Sequence, residues 1–372
     1  MADKYEKTDR NAKDFFNNLS TVNSRLDDIA NFTIGFDSHN PYYRYFLKVN
    51  LNLQALITKK ISVDLFKGDY TSLYFTGFYY RNFMEYAIPI SDRIIEIPTK
   101  DYSIFNRRLN LKYPDDLHNL YEFNAGKPVY IEFSDNLSVP TDKIPLFIKM
   151  LNKSYKPYGS YKIDNNYKNN CIRLITGNKH HPRSVVIIYN KTLEVESRNN
   201  KLIKQGKQPQ ILLSDAQNVV RYEVKWYSDK LNSVLTKYYS DTGQYLTNED
   251  LISEQYSYNV LSETANKLFP TEDFYNKYGS LKKINAANIS DVQKKKAIDF
   301  IKITETSKSL HRAKDVFLKN NTTATFNSRL KLLKMTGIAP ITISEADYSS
   351  YKIKKWGKLN NPLKKYGTEK IA

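Results

Sequence analysis

Residues Val219-Val220-Arg221-Tyr222-Glu223-Val224-Lys225-Trp226 alternate apolar and charged side chains with a period of two. Only a strand sends every second residue to the same side. Val220, Tyr222, Val224 and Trp226 therefore belong to one face, and Arg221, Glu223 and Lys225 to the other. A strand with one apolar face needs neighbouring strands and a layer that covers that face. The expected fold class is α+β, with a central antiparallel sheet.

Other stretches fill in that sheet. Residues 185–189 form a continuous apolar run, the mark of a strand buried on both faces. Residues 171–175 and 129–133 read as further strands, and Thr176-Gly177-Asn178 as a turn. Pro140 opens a helix whose apolar positions are Ile144, Leu146, Phe147, Ile148 and Leu151, with Thr141 or Asp142 as its cap. Residues 154–170 are a polar, Tyr-rich loop. Residues 191–205 are charged and expected to be helical. Upstream, 9–29 reads as an amphipathic helix on Phe15, Phe16, Leu19 and Leu26, and 73–80 and 93–97 as strands.

The character changes near residue 260. Residues 292–303, 307–318 and 325–335 read as three successive helices, the last stopping at Gly337. Their size and spacing suit a helix-turn-helix-like module. The expected domains are a polar N-terminal helical arm (1–40), a sheet-based domain (41–262) and a C-terminal helical module with a basic tail (263–372). Within that tail, residues 352–370 hold seven Lys against one Glu.

The chain of 372 residues carries 57 Lys and Arg against 39 Asp and Glu, a formal charge of +18. Such an excess speaks of partners rather than fold, and nucleic acid is the commonest polyanionic one. Thirty Tyr and eighteen Phe among these cations suit single strands, where bases stack on rings and cations follow phosphates. Cys171 is the one cysteine, so an intrachain disulfide and a Cys-based zinc site are both excluded. A reducing cytoplasm is the expected location. The N-terminus lacks an apolar signal core, and no apolar stretch approaches the roughly 20 residues that span a bilayer, so no membrane partner is expected.

Cleaving a phosphodiester with a side chain needs a nucleophile, a means of neutralising transition-state charge and a rigid platform. Tyr189 and Lys191 lie two apart at the end of the 185–189 run. Both can project from one face, where the ammonium helps a phenol ionise and meets a phosphate. The plain alternative is a Tyr ending a core strand beside a solvated Lys. Glu132 and Glu223 sit mid-strand among apolar neighbours and want cationic partners. For Glu223 these are Arg221 and Lys225; if instead the two Glu converge, magnesium or manganese would relieve their repulsion, with Asp135 and Glu194 as further ligands.

Taken in order, these stretches resemble the filamentous-phage gene II/X replication proteins and, more distantly, the rolling-circle initiators of small plasmids. Ile131-Glu132-Phe133 followed by Pro140 and a helix is similar to the family's acidic strand and helix. Residues 185–191 resemble its apolar strand ending in Tyr-x-Lys, with Glu194 as the acid that follows. Residues 219–224 resemble its Arg-aromatic-Glu strand, and residues 309–338 its C-terminal helical segment. The family typically has Asp in an Arg-Ile-Asp run where this chain has Glu132 after Tyr130-Ile131, and this chain has no His-x-His motif.

The resemblance covers residues 70–340. It implies an HUH-endonuclease-like domain and a replication initiation protein of a bacterial cytoplasm. Tyr189 would nick a DNA origin through a 5′-phosphotyrosine and start rolling-circle replication, with Mg2+ or Mn2+ as cofactor and host helicase and polymerase as partners. On that reading Glu132, Glu223, Glu194 and Asp135 are the metal ligands, Tyr189 and Lys191 are catalytic, and Arg221, Arg312, Arg329, Lys331 and Lys334 bind DNA.

Other readings are open. His180-His181-Pro182-Arg183 contains the His-x-x-Arg of tyrosine recombinases, but that motif belongs on a helix, and Pro182 with the β-branched run after it argues against one. His180 and His181 are expected on an exposed turn. A non-enzymatic DNA-binding protein, a single-strand binder or origin-binding regulator, fits the charge, the aromatics and the helical C-terminal part, as does an inactivated initiator.

Overall fold

The computed structural model describes residues 30–36, 45–51, 130–156, 161–164, 170–209, 211–246, 250–251, 254–307, 309–354 and 356–367. The expected helix over 9–29 and the strands over 73–80 and 93–97 lie outside these residues. The chain divides into two compact units, residues 1–129 with 231–257 and residues 130–230 with 258–372. In the first unit, β1 (Ala30–Phe36) and β2 (Tyr45–Leu51) pair antiparallel. The expected boundary at residue 40 falls between these two strands.

The second unit is a mixture of helix and sheet built on five antiparallel strands. They are β3 (Tyr130–Ser138), β4 (Lys162–Ile163), β5 (Cys171–Gly177), β6 (Pro182–Asn190) and β7 (Val219–Tyr227), in the order β3-β7-β6-β5-β4. The alternating run is β7, and it lies between β3 and β6. The apolar run is β6, the middle strand, where Val185, Val186 and Ile188 are fully buried.

Helix α1 (Ile144–Ser154) follows β3 and packs along β5 and β6. Neither Thr141 nor Asp142 caps it. A 3-10 turn over Thr141–Lys143 precedes it instead, and the Thr141 amide donates to the Asn218 side chain at 2.8 Å. Asn218 stands at φ 62°, a left-handed conformation that Asn tolerates better than most residues. Helix α2 (Lys191–Lys204) joins β6 to β7, and the Asn190 side chain caps it by accepting from the Thr192 amide. Helix α3 (Ser228–Thr242) follows β7 and passes into the first unit after Lys230.

The chain returns in α4 (Glu254–Leu268), so the expected boundary at residue 262 falls inside a helix. Helix α4 and a 3-10 turn over Pro362–Tyr366 cover the apolar face of β7. The Tyr222 hydroxyl donates to the Leu261 carbonyl at 3.0 Å, and the Tyr222 and Tyr366 rings stand 6.0 Å apart. Burying each large apolar side chain here contributes about 1.5–3 kcal/mol. Strands β8 (Phe274–Tyr275) and β9 (Lys358–Leu359) form a small second ladder.

Helices α5 (Lys277–Asn285), α6 (Asp291–Thr306), α7 (Leu310–Leu318) and α8 (Thr323–Met335) follow β8, and α9 (Glu345–Ser350) precedes β9. The three helices expected from periodicity are α6, α7 and α8. They pack on a triangle of rings, Phe300, Phe317 and Phe326, whose centroids are 5.4–5.7 Å apart. Gly337, at φ 70°, ends α8 as expected.

Candidate functional site

Antiparallel register decides which side chains meet. Asn136 pairs with Arg221, Arg221 with Tyr189, and Tyr189 with Cys171. The next row is Ser134, Glu223, Ile187 and Arg173, and the one after it is Glu132, Lys225, Val185 and Ile175. Directly paired residues share a face. Glu132, Glu223, Arg221, Lys225 and Tyr189 are thereby gathered on the side of the sheet opposite Tyr222.

The side chains form one continuous network. The Tyr189 hydroxyl donates to Glu223 Oε1 at 2.8 Å. Arg221 Nε lies 3.6 Å from that oxygen, and Lys225 Nζ lies 2.9 Å from Oε2. Lys225 Nζ also reaches Glu132 Oε2 at 2.7 Å, which accepts a second hydrogen bond from the Tyr130 hydroxyl at 2.7 Å. Arg221 donates to Asn136 Oδ1 at 2.9 Å and to Ser134 Oγ at 2.5 Å. Two carboxylates are thus balanced by one guanidinium and one ammonium.

Electrostatics follow from this geometry. Burial pushes the Tyr189 phenol far above its ordinary value, and the Glu223 charge and hydrogen bond push it further. Burial pulls Lys225 down, but Glu132 and Glu223 outweigh it and hold the ammonium charged. For Glu132, burial acts upward and Lys225 downward, with a net shift down. The Cys171 thiol, one strand from Tyr189, is raised to about 11 by burial and then by Glu223.

The expected role of Lys191 needs correction. Strand β6 ends at Asn190, and Lys191 is the first residue of α2. Its ammonium lies 5.8 Å from the centroid of the Tyr189 ring but binds Glu194 Oε2 at 2.7 Å. Burial lowers Lys191 despite that partner. The phenol is shifted up, not down, by burial and then by Glu223, which is its hydrogen-bond partner.

The four expected metal ligands do not converge. Asp135 pairs in register with Tyr222, which puts it on the opposite face, where its carboxylate accepts from the Tyr366 hydroxyl and binds Lys365. Glu194 is held by Lys191. Glu132 and Glu223 do approach each other, but the cation between them is Lys225. No group of three or more His, Cys, Asp or Glu among the described residues could hold a metal ion. The Lys225 ammonium lies 2.7 Å from Glu132 Oε2 and 2.9 Å from Glu223 Oε2, so the two carboxylates share one cationic partner.

His180 and His181 stand exposed on the turn before β6, as expected. Arg312, on α7, is exposed, as are Lys331 and Lys334 on α8, while Arg329 on α8 is half-buried. Arg221 belongs to the sheet face. Sequence reading passed over Tyr130, Ser134, Asn136 and the link from Lys225 to Glu132. The signal was present: Tyr130, Glu132, Ser134 and Asn136 alternate through β3, which runs five residues beyond Phe133.

Among the described residues, no helix is long and apolar enough to cross a membrane. Comparison with family profiles, curated proteins and solved structures gives no match.

Proposed function

We propose that this chain is a replication initiation protein that nicks DNA with Tyr189 on an HUH-endonuclease-like sheet and starts rolling-circle replication. The observation that carries the reading is the hydrogen bond from the Tyr189 hydroxyl to Glu223, flanked by Arg221, Lys225 and Lys191. A phenol shifted upward is a poor nucleophile until its proton has an acceptor, and Glu223 is already in place as one.

In this reading Tyr189 Oη forms a bond to phosphorus as its proton passes to Glu223 Oε1. The bond from phosphorus to the 3′ oxygen breaks, and that oxygen takes a proton from water. The products are a 5′-phosphotyrosine and a free 3′-hydroxyl that primes synthesis. Arg221 and Lys225 are the cations nearest the developing negative charge. Once Glu223 is protonated, both lose one anionic partner, while Glu132 still holds Lys225 and Asn136 and Ser134 still hold Arg221.

The experiment is incubation with a supercoiled replicon carrying the chain's own coding region, with and without magnesium. A covalent 5′ adduct on a denaturing gel supports the reading. An adduct that persists in Tyr189→Phe overturns the site, and absence of nicking by the wild type overturns the enzyme.

The charge balance of the network favours one second reading, a non-enzymatic DNA-binding protein in which the same groups tie β3, β6 and β7 together. In that case DNA binding survives Tyr189→Phe and the wild type never nicks.

A further inference from the structure

Helices α6, α7 and α8 form a three-helix unit with its own ring cluster, and four residues, Lys319 to Thr322, connect α7 to α8. A short turn between two packed helices is the arrangement that presents the second helix outward. The buried side of α8 is Phe326, Leu332 and Leu333. Its exposed positions are Thr323, Ala324, Asn327, Ser328, Lys331, Lys334 and Met335. Ala324, Asn327, Ser328 and Lys331 follow the spacing of a single helical face.

That face has a chemistry of its own. Helix α8 contains Arg329, Lys331 and Lys334 and no acidic residue. Residues 291–337 hold eleven Lys and Arg against four Asp and Glu. The exposed Ala324, Asn327 and Ser328 are short and uncharged and lie in the N-terminal half of the helix, where a recognition helix meets base edges, and the exposed cations Lys331 and Lys334 follow them. A purely electrostatic surface would not need Asn and Ser at its centre.

We infer that α8 reads duplex DNA in the major groove, with Asn327 on an adenine, Lys331 on a guanine and Ser328 between them. Asn matches the N6 and N7 edge of adenine, and Lys matches the O6 and N7 edge of guanine. Asn327 and Lys331 are four residues apart, about 6 Å along the helix. Base steps are about 3.4 Å, so the two bases lie within two base pairs of each other. Lys334 and Arg312 bind phosphates and set register without reading sequence.

The inference does not depend on Tyr189 acting as a nucleophile. The test is selection from a pool of duplex DNA with a randomised centre, using the full chain carrying Tyr189→Phe. Expected is an enriched site with an adenine and a guanine at that spacing. Asn327→Ala relaxes the adenine, and Lys331→Ala relaxes the guanine, each by about 5- to 150-fold in discrimination. Lys334→Ala weakens all sequences alike and lowers the salt slope by about one.

These side chains are exposed, so unchanged thermal melting separates lost contacts from lost fold. No enriched sequence overturns the inference, as does a site whose preferences both variants leave intact. Tighter binding to a structured RNA or to a protein partner on the same face overturns it as well. If the selection succeeds while the wild type never nicks, the proposed enzyme fails and the reader stands.

Discussion

Glu223 accepts a hydrogen bond from Tyr189 at Oε1 and an ion pair from Lys225 at Oε2. One carboxylate therefore holds a nucleophile candidate from β6 and a cation from its own strand. Removing its charge separates the two relationships. In Glu223→Gln the Tyr189 phenol loses its charged acceptor, and covalent adduct formation at an intact origin strand is expected to fall at least tenfold. A rate equal to wild type removes Glu223 as proton acceptor.

Tyr189→Phe keeps the ring and deletes the hydroxyl. Glu223 retains Lys225, so the cost in stability is expected at about 1.5–3 kcal/mol, the net value of a hydrogen bond to a charged group. Urea unfolding measures it. A loss of several kcal/mol means that the hydroxyl is a structural tie rather than a reactive group.

Cys171 reports on the same charge from the neighbouring strand. With its thiol raised to about 11, it is expected to react slowly with a thiol reagent at pH 8. Glu223→Gln removes the second cause of that shift and should speed labelling severalfold, while Arg312→Ala should not. Equal rates in wild type and Glu223→Gln show that burial alone governs the thiol.

The folded protein lowers the Glu132 pKa, so its ion pair with Lys225 adds stability above the unfolded carboxylate value of about 4.3. That contribution is lost as pH falls through the folded value. Glu132→Gln should therefore destabilise at pH 7, and the difference from wild type should narrow at pH 3. Parallel loss at both pH values places the effect in packing instead.

Phe326→Ala opens the ring cluster of α6, α7 and α8 and is expected to cost about 3–5 kcal/mol. Duplex DNA binding should weaken with it, although Phe326 is buried and can touch no base. Calorimetry and mobility shift on one preparation check both. Unaltered DNA binding would separate the module from recognition.

Much of the second unit was legible because its signals are local. The alternation of β7, the apolar run of β6 and the helical periodicity of α6 to α8 each reside within about a dozen residues. The failures are non-local. Ser134-Asp135-Asn136 has the composition of a turn, yet continues β3, because Arg221 binds Ser134 and Asn136 while Tyr366 and Lys365 bind Asp135. Asp135 looked like a ligand beside Glu132, but an odd offset along a strand sends the two carboxylates to opposite faces. At the candidate site, Lys225 was legible as a partner of Glu223, but its reach to Glu132 depends on strand order.

The contact between Tyr366 and Asp135 spans 231 residues of chain. A ribosome must therefore add more than two hundred residues after β3 emerges before Asp135 receives its partner. Until then the strand that carries Glu132 has an unpaired acid on its other side. Closing so long a loop is slow compared with forming α6 to α8, whose contacts are near in sequence. The contacts among α6, α7 and α8 are thus expected to be in place before Tyr366 closes over the strand that carries Glu132.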